Sequence, residues 1–252
     1  SIEYRTKREH PRWRSVWSLG VLIGSTLPAF LFGLVFANLI HGVPIDAKGE
    51  FSGGLLDLFN GYAILGGLVS LALFAFHGAV FLTLRTEGEV RRRARSFALA
   101  LAPPALLLTE AIIVWSWLDS GSSSAGKWIA AASLAAAAAV LLALSLAFVY
   151  SDRDGLAFAA TALAFASATA MLFVALYPRV LVSSVDPRFS LTVASSSSSH
   201  HTLAVMAIVA LIFTPIVLLY QGWTYWVFRA RLRGEPLPGT GTARGSAGER
   251  SA

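Results

Sequence analysis

The chain has 252 residues, no cysteine and a formal net charge of +6, with 56% hydrophobic residues against 13% charged. Its mean hydropathy is +0.65, which excludes an ordinary soluble domain, where about a quarter of residues are charged. The lack of cysteine excludes disulfides, thiolate metal sites and thiol-linked haem. The basic residues sit in short loops between apolar runs, so membrane topology explains them better than a nucleic-acid partner does.

The expected fold is all-α: a polytopic transmembrane protein with six spans, at 16–40, 61–84, 97–118, 128–150, 156–177 and 203–228. The expected organisation is 1–15 as the cytoplasmic end of a preceding span plus an interfacial segment, 16–228 as the six-helix membrane domain, and 229–252 as a basic, disordered cytoplasmic tail. No cleavable signal peptide is visible, and Ser1 opens an already polar, helix-compatible segment. The chain therefore reads as the later part of a longer protein.

The first span runs for about seven turns without a charge, enough at ~1.5 Å per residue to cross a hydrocarbon core of roughly 30 Å. Arg12, Trp13, Arg14 and Trp17 at its entry and only His41 at its exit direct its start to the cytoplasm. On that orientation sixteen of the twenty basic residues face inward, and Lys48, Lys127, Arg179 and Arg188 lie outside. Both ends are then cytoplasmic. Gly20 and Gly24 offer a close-approach face for another helix, and Pro28 removes a backbone donor near mid-membrane.

The second span holds His77, for which a proton, metal or haem role stands against a plain hydrogen bond to a neighbouring helix. RTEGEVRRRARS reads as a solvated cytoplasmic turn able to touch anionic lipid. The third span carries Glu110, the one acid well inside an apolar run, and hence a possible intramembrane proton or polar site. It stands two turns from the outer end, where snorkelling is the alternative. The alanine-rich fourth span and the fifth form a hairpin across SDRDG and nominate no site. A long outer loop, 178–202, includes five consecutive serines. The sixth span contains Pro215 and ends in Tyr220, Trp223, Tyr225 and Trp226, with Arg229, Arg231 and Arg233 following as an interfacial anchor.

His41, His200 and His201 fall at one depth, where a haem iron between helices is one reading and wet loop histidines the other; zinc is weaker. No nucleotide-binding or nucleophile motif is present, which points to chemistry in a partner. At the start of the chain Glu3 and Lys7 stand four apart, on one face if helical. They are either a proton-relaying pair or an interfacial ion pair.

Three stretches carry a resemblance. EYRTKREHPRWRSVWSLGVLIGSTLPAFLFGLVFANLIHGVPI (3–45), GGLLDLFNGYAILGGLVSLALFAFHGAVFLTLRTEGEVRRRAR (53–95) and SLTVASSSSSHHTLAVMAIVALIFTPIVLLYQGWTYWVFRARL (190–232) resemble subunit II of the cytochrome bd-type quinol oxidases, in order along nearly the whole chain. The chain departs from that pattern at Asn60-Gly61 and at Val182, where the family often has proline. The resemblance implies the last six of about nine helices, without the family's amino-terminal spans and their DGNE-like stretch. It implies a partner, subunit I, that ligates two b haems and haem d and oxidises quinol, while this chain ligates no cofactor or metal and has no catalytic residue of its own. It further implies proton and oxygen access through this chain, with Glu3 and Lys7 matching the family's proton-entry acid and lysine; a structural quinone; contact with lipid and small accessory subunits; and location in the bacterial cell membrane. Glu110 matches no motif of the family. The competing class is a secondary transporter built on Glu110 and the proline-broken spans; a third, a purely structural assembly subunit, differs only in whether Glu3 and Lys7 affect turnover.

Overall fold

The computed structural model describes the backbone of residues 11–119 and 125–227, and side chains within 15–118 and 129–227. Among these are six helices long and apolar enough to cross a membrane. They are α1 (Pro11–His41), α2 (Gly61–Arg85), α3 (Gly88–Asp119), α4 (Ala125–Tyr150), α5 (Asp154–Leu176) and, after the short α6 (Val193–Ser196), α7 (His200–Val227). The fold is an all-α membrane architecture, as the apolar runs indicate. α1 runs unbroken through Pro28, α3 through Pro103 and Pro104, and α7 through Pro215.

One boundary differs from the sequence reading. The polar segment expected to be a turn is helical from Gly88 onward, leaving only 86–87 between α2 and α3. Glu89 pairs with Arg92 and Arg93, three and four residues on, which is the spacing that supports a helix. Gly88 takes a positive φ of 66°, a conformation suited to glycine, and so allows the reversal.

Each helix pair is held by a different chemistry. α1 and α2 cross at Gly33 and Gly66, where a Cβ on Gly33 would collide with the Gly66 carbonyl oxygen and with Ser70. A Cβ on Gly20 or Gly24 would meet nothing within 4 Å, so the close approach falls further along α1 than the GVLIG pattern implied. α4 and α5 meet through small side chains: Ala131, Ala135, Ala138, Ala157, Ala160 and Ala164 are buried. The helices come near enough for Ser145 Oγ to donate to the Ala157 carbonyl at 3.0 Å. Phe76 and Val80 of α2 join Ala98, Ala102 and Ala105 of α3 in the same core.

At the end of the bundle where α1 stops and α2 starts, the two long connections interlock. Val43 N donates to the Val182 carbonyl at 3.0 Å and Ser184 N to Val43 at 3.0 Å, while the buried Ser183 hydroxyl donates to the Ile45 carbonyl at 2.9 Å. A two-stranded antiparallel sheet of β1 (Arg179–Leu181) and β2 (Leu191–Thr192) braces this clasp. Between the strands, the Arg188 guanidinium beside Asp186 holds that carboxyl below its ordinary value. α7 stands apart, with no residue buried.

Candidate functional site

Among the described residues, three polar clusters fasten separate segments of the chain to one another, and Glu110 lies outside all of them. At the clasp end, Asn60 caps α2, its side-chain oxygen accepting from Ala63 N at 2.8 Å. Its amide donates to Asn38 Oδ1 at 2.9 Å. The buried Asn38 in turn donates to the Leu58 carbonyl at 2.8 Å and the Leu34 carbonyl at 3.0 Å. Burying an amide costs little when its groups are satisfied in this way. Beside it the buried Tyr62 stacks on His41 with ring centres 5.1 Å apart, meets Trp115 edge-on at 5.8 Å, and its hydroxyl lies 2.7 Å from Ser116 Oγ.

Deeper in the bundle, His77 of α2 turns toward α5. Its Nδ1 lies 2.7 Å from Thr161 Oγ1, and its ring packs on Phe158 at 5.0 Å and edge-on to Phe165 at 5.3 Å. The hydroxyl engages one ring nitrogen, two phenyl rings pack on the imidazole, and the residue stays half-buried.

The third cluster was not apparent in the sequence. Asp154 opens α5 and is 6% exposed, a carboxylate in the first turn of a helix, where the backbone dipole favours it. Arg91 of α3 grips its Oδ2 through Nε at 3.1 Å and Nη2 at 2.9 Å, and reaches Asp152 at 3.1 Å. Arg95, one turn on, donates to the carbonyls of Val149 and Tyr150 at 3.1 and 2.9 Å and pairs with Asp152. Two arginines on one helix thus pin the α4–α5 turn, whose Asp152 sits at φ 55°. The signal available was the pair of arginines four apart facing an SDRDG turn, but nothing in the chain joins segments about sixty residues apart.

Glu110 lies on the exposed side of α3, facing away from α2 and α4. Glu3 and Lys7 lie outside the described residues. Among the described residues no three of His, Asp and Glu come together to hold a metal ion. Of the described histidines, His77 contacts Thr161 and two phenyl rings, His41 is stacked on Tyr62, and His200 and His201 open α7.

These features define a multi-pass helical membrane protein whose interior polar residues fasten helices to one another. Residues 1–228 match the family model for cytochrome bd terminal oxidase subunit II. Cytochrome bd ubiquinol oxidase subunit 2 of Bacillus subtilis (strain 168) is 35% identical over 92% of this chain and 68% of its own length. Cytochrome bd-I ubiquinol oxidase subunit 2 of Escherichia coli (strain K12) is 31% identical over 94% and 71%. A probable cytochrome oxidase subunit 2 of Haemophilus influenzae is 34% identical over 92% and 69%. The chain belongs to the cytochrome bd terminal oxidase subunit II family, and it is a multi-pass bacterial membrane protein.

Proposed function

We propose that this chain is the non-haem-ligating subunit of a cytochrome bd quinol:oxygen oxidoreductase. The observation that carries the reading is the family match, which includes every described helix. A partner subunit I holds haem b and haem d, oxidises quinol and reduces oxygen to water, and this chain supports it in the bilayer. The use of His77 and His41 in helix packing favours placing the haems in the partner. Both ends face the cytoplasm, as the concentration of arginine and lysine at the Arg91 side of the bundle and at the two ends supports.

Protons for oxygen reduction come in part along this chain from the cytoplasm, with Glu3 as relay carboxylate and Lys7 tuning the mouth. A structural quinone, accessory subunits and an oxygen route through the helices belong to the same reading. Glu110 faces outward instead of joining other polar groups at a central site, which counts against a secondary transporter.

The test is a reduced-minus-oxidised visible spectrum of the complex purified through a tag on this chain from its native membrane. A red chlorin band together with b-type haem bands is expected; a haem-free preparation would overturn the reading. Glu3→Gln in the same complex should slow oxygen uptake with haem content unchanged. Undiminished turnover would remove Glu3 from the proton route.

A further inference from the structure

α3 packs against α2 on one side and α4 on another, and its remaining face is exposed along a continuous stripe. Ser96, Ala100, Pro103, Leu107, Glu110, Val114 and Trp117 follow at intervals of three and four and are all exposed. Toward the Arg91 end the stripe opens into a shallow groove lined by Glu89, Arg92, Arg93, Ser96, Phe97 and Ala100.

The depth of Glu110 makes this face unusual. Two residues further along α3, Ile112 reaches the backbone of α2 at Gly66, five residues in from the start of that helix. Glu110 therefore lies roughly 10 Å inside the helix ends on that side, at ~1.5 Å per residue, further than a side chain of two methylenes can reach back. Among the described residues it has no hydrogen-bond or ion-pair partner. Acids within spans otherwise face the bundle interior, water or an opposite charge. Two turns along the same stripe Pro103 and its neighbour Pro104 have no N–H to give to the carbonyls of Leu99 and Ala100. In hydrocarbon such groups need a donor from elsewhere. Along this stripe the Glu110 carboxylate and the proline-freed carbonyls thus lie beside small side chains that permit close approach.

We propose that this face of α3 seats a transmembrane helix of another chain, which places a basic side chain against Glu110. A basic donor is the complement of the Glu110 carboxylate at this depth, and Ser96, Ala100 and Pro103 let its backbone come near. The inference rests on membrane insertion and on Glu110, not on the oxidase reading.

The test uses the whole complex in native membranes, with a benzophenone amino acid at Leu107 or Val114 and, as a control, at Val140, which is exposed on the apolar α4. Irradiation should join positions 107 and 114, but not 140, to one peptide containing an apolar span with Lys, Arg or His. Glu110→Leu should lower that yield at least tenfold. Glu110→Lys combined with replacement of the partner's basic residue by Glu should restore it. Lipid-only adducts at 107 and 114 like those at 140, or a yield indifferent to Glu110→Leu, would overturn the proposal. The visible spectrum of the same preparations separates this outcome from failure of the oxidase assignment.

Discussion

Arg91 and Asp154 show how much a single contact between distant segments can carry. The aspartate is buried and one of its oxygens, Oδ1, has no partner; the other is held twice by one guanidinium. Removing Arg91 would leave a buried carboxylate uncompensated. For a fully buried pair that costs about 3–5 kcal/mol, and because the Arg91 side chain is 28% exposed we expect Arg91→Ala to cost roughly 2–3 kcal/mol by the same principle. Arg91→Lys should recover only part of this, since an ammonium cannot reproduce the two-pronged grip. Thermal unfolding of the detergent-solubilised complex measures both. None of this was legible from residues 151–155, which read as a polar turn. His77 was legible as an imidazole within a span, but its partner Thr161 lies 84 positions away on a helix whose sequence nominates no site.

At the scale of the helices, apolar length determined almost everything, and each of the six expected spans corresponds to a helix. The amino-terminal extension of α3 escaped because hydropathy ends at the first charge, whereas a helix continues as long as its charges pair along it. Small residues were harder to interpret. Gly20 and Gly24 have the conventional spacing but open surroundings, and Gly33 with Gly66 forms the actual crossing. The difference lies in which stretch of α1 another helix reaches, and spacing does not encode that. Gly33→Leu should therefore destabilise by about 1–3 kcal/mol or more through overpacking, while Gly20→Leu should stay within about 0.5 kcal/mol. Denaturation of the two variants side by side decides this, and equal losses would contradict the crossing described.

For the molecule as a whole, α1 to α5 pack as a bundle in which α5 touches both α1 and α2, and the loops after α1 and α5 are bonded together at 43–45 and 182–184. The covalent link between α2 and α3 is then only one of several connections holding the two sides together. The chain is, in effect, writable as two genes: residues 1–87 and 88–252, translated separately, should find each other in the membrane and co-purify through a tag on either piece. Disrupting the clasp with Ser183→Val, which removes the hydroxyl bonded to Ile45, should reduce recovery of the paired fragments more than it harms the unbroken chain. The clasp would then serve as the splice that peptide continuity makes unnecessary.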